Sequence, residues 1–385
     1  MAQSNRNAGP VVQTVCLCMI VKNEAPVIAR CLDSVRPIIT HWVIVDTGST
    51  DGTQDIIRKH LGDLPGKLYE RPWQDFAHNR SEALELARPN GDYTLIIDAD
   101  DALELPEGYR LPPLVDDCYL LDIHDNTLHY QRKQLVNNRL RWFYRGVLHE
   151  FIESDGQYST GHIDIVMRRN HDGARRRDPE TYRRDAAVLE RALKTEADPF
   201  LRTRYTFYLA QSYRDCAEWE KAIRTYLKRA SMGGWQEEVF VSLYQVAKLK
   251  EQQGYPDEEV LAAYDAATQS QPARAEAIHG ASRFCRLKKL HVRGFEIARA
   301  GLGLTSPDGA LFAQPMVYET GLLDEYAVNA YWAGHYPESL DACLRLLVSG
   351  KLSAADVQRV AANAVFARQK LGEEGRLPAF PSFGQ

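Results

Sequence analysis

Leu95-Ile96-Ile97-Asp98-Ala99-Asp100-Asp101 is an apolar run that ends in three carboxylates. A continuous apolar stretch of this kind reads as a buried strand of a parallel sheet. Side chains just past its C-terminal end open into the crevice where α/β sheets bind ligands. Asp98 and Asp100 are therefore candidates for a hard-cation site: carboxylate oxygens favour Mg2+ or Mn2+, whose remaining positions are filled by phosphate oxygens and water. An acidic loop capping a helix is the plainer reading of the same residues.

The residues upstream give the run a context. Thr14 to Val21 is strand-like and ends in Lys22-Asn23-Glu24, and Pro26 to Val35 has the helical apolar spacing of Val27, Ile28, Leu32 and Val35. Trp42-Val43-Ile44-Val45 is a second strand, closed by Asp46-Thr47-Gly48-Ser49-Thr50-Asp51-Gly52-Thr53. Ile56 and Ile57 lie on a further helix, and Lys67-Leu68-Tyr69 is a third strand. The pattern is βαβαβ, which predicts a parallel sheet with every polar motif on one edge.

This arrangement resembles the family 2 glycosyltransferases of the GT-A fold. The resemblance rests on Val21-Lys22-Asn23-Glu24, Val45-Asp46 through Thr53, Phe76-Ala77-His78-Asn79-Arg80 and Asp98-Ala99-Asp100, in the family's order, and covers roughly residues 14 to 175. It implies transfer of a sugar from a nucleotide diphosphate donor, most often a uridine one, to a nucleophilic acceptor. The chemistry to be served is a departing diphosphate and an oxocarbenium-like anomeric carbon.

By the same resemblance Asp100 coordinates the metal, and Asp98 reaches toward the donor ribose or the metal shell. Asp46 meets the base or ribose, Glu24 lies near the base, and Arg80 meets the base or the diphosphate; a solvated helix arginine is the alternative. Trp142-Phe143-Tyr144-Arg145-Gly146-Val147-Leu148-His149-Glu150 carries an acid where GT-A enzymes keep their catalytic one. An inverting transferase needs a base facing the anomeric carbon opposite the leaving group, and Glu150 is the candidate. Pairing of Glu150 with Arg139, Arg141 or Arg145 is the structural alternative. His171, within Arg168-Arg169-Asn170-His171-Asp172-Gly173, matches the C-terminal histidine that many GT-A enzymes use as a further metal ligand, and imidazole tilts the metal toward Mn2+ over Mg2+.

From about Asp198 the chain becomes helical with a weak repeat. Phe207 to Tyr213 followed by Trp219 to Tyr226 alternates small and aromatic residues, and the texture returns at Leu243 to Ala247, Ala262 to Tyr264 and Ala327 to Tyr336. The spacing sits near the ~34-residue period of tetratricopeptide repeats, and three to five degenerate repeats are expected. Transferases of the resembled family with such repeats include enzymes that modify peptides and others that act on surface polysaccharides. Dimerisation through the repeats occurs in that group, so a homodimer is expected, with recruitment of the acceptor as the alternative.

The chain has 385 residues with 44% hydrophobic content, enough for two cored domains. The expected division is a flexible start 1–13, a GT-A domain 14–175, a linker helix 176–197, a repeat domain 198–370 and a flexible tail 371–385. No apolar run reaches membrane-spanning length and the polar start lacks a signal-peptide core, so a cytoplasmic location, with peripheral membrane association open, is expected. Seven cysteines without metal-like spacing fit reduced, buried thiols. A net charge of -5 argues against indiscriminate nucleic-acid binding. It hides a basic stretch of Arg139, Arg141, Arg145, Arg168, Arg169, Arg175, Arg176, Arg177, Arg183 and Arg184, suited to a diphosphate, to an anionic acceptor, or to a solvated helix face.

These features together predict an α/β domain with a mostly parallel sheet, followed by an all-α repeat domain. The function expected is a metal-dependent, inverting, hexosyltransferase-type enzyme using Mn2+ or Mg2+. Its acceptor, a glycan, lipid-linked glycan, peptide or modified DNA, is left open, as is the sugar, whose pocket is expected in variable loops such as Asp122 to Val136. A non-catalytic scaffold presenting the repeats is the competing reading. A nucleotidyltransferase is disfavoured because Lys22-Asn23-Glu24-Ala25-Pro26 is no glycine-rich phosphate loop.

Overall fold

The computed structural model describes residues 13–126 and 128–374, with the side chains of Leu128 and Arg176 outside the described set. The ends read as flexible, 1–13 and 371–385, fall mostly outside the described residues. The chain divides into two units, Met1–Leu201 and Arg202–Gln385.

In the first unit, strand β1 (Val15–Val21) is buried on both sides. Val15, Leu17, Met19 and Val21 enter one core while Cys16 and Cys18 enter another, as period-two alternation dictates. Helix α1 (Ile28–Val35), strand β2 (His41–Asp46) and helix α2 (Thr53–Leu61) follow. Ile28, Cys31, Leu32 and Val35, at helical spacing, and Ile57 and Leu61 pack on the first core. Strand β3 (Gly66–Glu70), helix α3 (Phe76–Ala87) and strand β4 (Tyr93–Ile96) complete the βαβ pattern. Ala83, Leu84 and Ala87 of α3 close the second core with Val43, Val45 and Ile96. Each fully buried Leu, Ile or Val contributes about 1.5–3 kcal/mol. Burial on both faces explains why β2 and β4 read as unbroken apolar runs.

The remaining strands are β5 (Ala102–Glu104), β6 (Cys118–Asp125), β7 (Leu128–Asn137), β8 (Trp142–Arg145), β9 (Phe151–Ser154) and β10 (Thr160–Arg168). The main sheet has the order β3-β2-β1-β4-β7-β6-β10-β5, and β8 pairs with β9 as a separate ribbon. Pairings β3/β2, β2/β1, β1/β4 and β6/β10 are parallel; β4/β7, β7/β6 and β10/β5 are antiparallel. The sheet is thus mostly parallel but mixed. Asp122 to Val136, read as variable loops, belongs instead largely to the β6–β7 ribbon. Leu121, Ile123 and Leu135 alternate into the core there, which sets the register. The chain passes from β1 to β2 on one side and returns to β4 on the other, so the C-terminal ends of β1 and β4 flank a topological switch point. Helices α4 (Ala174–Arg177) and α5 (Thr181–Thr195) follow. The stretch read as a linker helix contains α5, which Asp185 ties to Arg175, and the division of the chain places it in the first unit.

The division falls within α6 (Pro199–Asp215). In the second unit come α7 (Trp219–Ser231), α8 (Gln236–Gln252), α9 (Asp257–Ser270), α10 (Glu276–Leu287), α11 (His291–Gly301), α12 (Leu322–Trp332), α13 (Tyr336–Val348) and α14 (Ala354–Glu373). Left-handed residues Ala217, Gly254, Lys289 and Gly334 follow α6, α8, α10 and α12, one at each hairpin turn. They lie 37, 35 and 45 residues apart, close to the tetratricopeptide period except where the segment 302–316 lengthens the last interval. Small residues admit large ones between helices: a Cβ on Gly280 would stand 2.4 Å from the Tyr264 ring. Buried ion pairs join one hairpin to the next. Arg229 of α7 donates to Glu238 of α8 at 2.9 Å and to the Gly233 carbonyl. Arg274 donates to Glu276 at 2.9 and 3.0 Å and also pairs with Glu237.

Arg229→Ala would leave Glu238 buried without its partner, and urea unfolding of the full chain should show a loss of ~3–5 kcal/mol, with Arg229→Met less costly than Ala.

Candidate active site

The loops after β1 and β2 are stitched together at the switch point. Asn23, in the left-handed region (φ 58), donates its N–H to the Ser49 hydroxyl and accepts from the Thr50 N–H. The Glu24 N–H donates to the Thr53 hydroxyl, and the Ala25 N–H to the Asp51 carboxylate. Gly48 and Gly52 take positive φ values of 108 and 92, which the turn requires. Much of the motif from Asp46 to Thr53 therefore builds the loop.

Asp46 differs. It is 1% exposed; its Oδ1 accepts from the Gly48 and Ser49 N–H groups at 2.7 and 2.8 Å, while Oδ2 is buried with no partner. A buried carboxylate oxygen without a donor is costly, and it suits a ligand that brings hydroxyl or N–H groups.

Arg80, on α3, bridges two carboxylates. Its Nε donates to Glu150 Oε1 at 2.7 Å, and a terminal nitrogen donates to Asp98 Oδ1 at 2.5 Å. The guanidinium is 12% exposed and its carbon stands 5.6 Å from the Tyr144 ring centroid. Burial pushes the Asp98 carboxyl up, but Arg80 more than offsets this and holds it well below the usual range. Glu150 follows β8 through a turn in which Gly146 (φ 103) and His149 (φ 52) are left-handed. A non-glycine residue in that region marks backbone held by its surroundings. Glu150 is thus paired, with Arg80 rather than with Arg139, Arg141 or Arg145.

Asp100 and Glu24 are near enough for the charge of one to act on the other. Burial, then the charge of Asp98, raises the Asp100 carboxyl. Glu24 is pushed up to about 7 by burial, partly offset by the Ala174 N–H, with Asp100 and Asp51 adding to the rise. A Cβ on Gly173 would lie 2.6 Å from Asp100 Oδ2, so that glycine lets the segment before α4 pass against the carboxylate. Asp101 is 1% exposed and both of its carboxylate oxygens are buried without hydrogen bonds. Burial and then Asp98 raise its pKa, and Arg169 stands 3.9 Å away.

The donor set of oxygens beside accumulated negative charge suits a hard divalent cation at Asp100. His171 gives its Nε2 to Asp125 Oδ1 at 2.5 Å, which leaves Nδ1 as the ring nitrogen open to a metal. Asp98 is likewise committed to Arg80. Among the described residues no three His, Cys, Asp or Glu side chains converge as a metal site. A cation at Asp100 would draw most of its ligands from diphosphate and water, and His171, if it joined, would use Nδ1 while Asp125 holds Nε2.

Glu24, Asp46, Asp98 and Asp100 lie at the ends of β1, β2 and β4, and Arg80 joins Asp98 to Glu150. The basic stretch is largely neutralised: Arg139 pairs with Asp117, Arg145 with Glu153 and Asp198, Arg168 with Glu104, Arg175 with Asp185, Arg183 with Glu180 and Arg184 with Asp178. Arg177 donates to the Asn23 carbonyl, and the Arg176 side chain lies outside the described set. Two features had no local sequence signal, because their partners are remote in the chain: the hold of Asp125 on His171 and the Arg30–Asp172 pair at 2.8 Å. Asn79, which binds the Gln74 N–H and the Pro72 carbonyl, is tied instead to its own neighbourhood in the chain.

Residues 16–145 match the family model described as Glycosyl transferase family 2. A TPR repeat-containing protein of Synechococcus elongatus is 36% identical over 109 residues, 28% of this chain and 26% of that protein. An uncharacterized glycosyltransferase of Rickettsia felis is 33% identical over 121 residues, 31% of this chain and 39% of that protein. The chain therefore spans well under half the length of these curated relatives. The crystal structure of S. aureus TarS 1–349 in complex with UDP aligns over 68% of this chain and 89% of that chain, at 12% identity and a TM-score of 0.30, too low to carry an argument.

Arg80 lowers the folded-state pKa of Asp98, so the stability it confers is present above about pH 4 and is lost as pH falls through the folded value. Arg80→Met should therefore cost ~1–3 kcal/mol in urea unfolding at pH 7, and the gap to wild type should narrow below about pH 4 and close as pH falls through about 2.

Proposed function

We propose that this chain, whose residues 16–145 form a family 2 glycosyltransferase domain, moves a sugar from a nucleotide diphosphate donor, UDP-linked, to a nucleophilic acceptor with inversion. The observation that carries this reading is the convergence of Asp46, Asp98, Asp100 and Glu150 at one crevice of a domain that matches the family. Asp46 would receive the ribose or base through its unpartnered Oδ2. Asp100 would hold a divalent cation, Mn2+ or Mg2+, which when bound supplies positive charge to the departing diphosphate.

Glu150 is the base. The acceptor oxygen forms a bond to the anomeric carbon as the bond from that carbon to the diphosphate oxygen breaks, and the acceptor's proton passes to the carboxylate. Arg80 occupies Oε1 and fixes the group's orientation, which leaves Oε2 for the proton. The alternative acids are less suited: Asp101 is buried beneath the crevice, and Glu153 pairs with Arg145. The acceptor class, whether glycan, lipid-linked glycan, peptide or DNA, is not encoded in these residues. We assign the repeats a role in homodimerisation.

Binding and chemistry should separate between two variants. Asp100→Ala, or chelation of wild type, should weaken UDP binding in calorimetry by about tenfold or more, the loss of a charged contact. Glu150→Gln should keep UDP affinity while transfer falls ~10²–10⁴-fold. Equal UDP affinity with and without chelator would remove the cation, and near wild-type transfer by Glu150→Gln would remove the base. For the repeats, light scattering of the full chain should give twice the monomer mass; a monomer would leave them to recruit the acceptor.

A further inference from the structure

The segment 169–174, between β10 and α4, is held against the crevice on both sides of His171. The Arg169 N–H donates to the His124 carbonyl at 2.9 Å, and the Asn170 amide donates to the Asp100 carbonyl at 3.1 Å. Asp172 takes both terminal nitrogens of Arg30, one of which also reaches the Asp100 carbonyl at 2.8 Å. Gly173 passes against the Asp100 carboxylate, and the Ala174 N–H donates to both oxygens of Glu24 at 3.2 and 3.1 Å. The His171 imidazole has a different partner. Among the described residues its one hydrogen bond is to Asp125 Oδ1, at the end of β6, at 2.5 Å. The other oxygen of Asp125 stands 3.4 Å from Arg169, and the carboxylate is 16% exposed.

As an anchor for the strap, Asp125 is redundant, because the bonds on both sides of His171 already fasten it. What those bonds leave undetermined is the ring, which can turn about its side-chain bonds and present either nitrogen. Asp125 removes that freedom. A carboxylate that accepts the Nε2 proton puts the ring's lone pair on Nδ1 and makes it a better electron donor. The effect on cations is unequal. Mg2+ takes oxygen ligands and gives up its water reluctantly, whereas Mn2+ accepts a nitrogen beside its oxygens more readily.

We propose that Asp125 is a positioning residue for the cation at Asp100: by holding His171 with Nδ1 free it makes the imidazole a ligand, and so sets the preference of the site for Mn2+ over Mg2+. This rests on the cation of the proposed function, and adds to it a residue and a selectivity that a cation at Asp100 does not by itself require.

The test uses the full chain with UDP. Bound Mn2+ is counted from the electron paramagnetic resonance of the free ion, Mg2+ from its competition with Mn2+, and imidazole ligation from the nitrogen modulation of pulsed spectra. Asp125→Ala should weaken Mn2+ binding ~10–100-fold, the range for losing the outer partner of a metal-bound histidine, and abolish the nitrogen modulation. Mg2+ binding should change little. Asp125→Asn, which still offers Nε2 an oxygen but no charge, should fall between. His171→Ala should match Asp125→Ala, and the double variant should be no weaker than either, because both act through one ring. Without cation, Asp125→Ala should keep a Tm near wild type, since the strap retains its other bonds. Wild-type Mn2+ affinity in Asp125→Ala, equal weakening of Mn2+ and Mg2+, a collapsed Tm, or a loss that persists in the His171→Ala background would each overturn the proposal. Mn2+ that binds wild type and is lost with Asp100→Ala, yet shows no nitrogen modulation, would overturn it and leave the cation standing; a wild type that binds no Mn2+ would remove both.

Discussion

A strand buried on both faces can carry polar chemistry only at its ends, and β1 imposes that constraint on the first unit. Its neighbours β2 and β4 run parallel to it, so the polar residues that terminate all three strands meet on one edge. The crossing to β2 on one side and the return to β4 on the other open a crevice there. The positions of Glu24, Asp46, Asp98 and Asp100 follow from where three apolar runs stop. The loops are then held by their own polar atoms, as the exchange between Asn23, Ser49 and Thr50 shows.

Gathering carboxylates in this way is electrostatically unfavourable, and the site handles the excess unevenly. Arg80 neutralises Asp98 and Glu150 together, so these two are the settled members. Asp100, Glu24 and Asp101 have no comparable partner, and burial together with mutual repulsion raises all three. A cation is the entity whose arrival would relieve the most repulsion. The arginines further along the chain do not supply that charge, because most are already bound to nearby carboxylates.

The repeat unit solves the opposite problem. Each helix hairpin has too little core of its own, and stacking supplies the rest. Where a hairpin meets the next, Arg229–Glu238 and Arg274–Glu276 occupy buried positions. Such pairs add little net stability over apolar residues but are costly to break, which favours one stacking register.

The architecture was legible because it rests on local periodicity. Apolar runs at period two or in unbroken blocks marked β1, β2 and β4, and the small and aromatic alternation marked the hairpins near their period. The antiparallel half of the sheet was not legible. Asp122 to Val136 alternates like any half-buried ribbon, and its pairing depends on β4 and β10, far away in sequence. The sequence by itself determined which carboxylates end strands and hence which share a crevice, since a strand's direction and its end are local properties. Only the tertiary structure decided which charge each carboxylate meets. Arg80 takes Glu150 from 70 residues away and Asp125 takes His171 from 46, and partners chosen by folding at such separations leave no mark in local sequence.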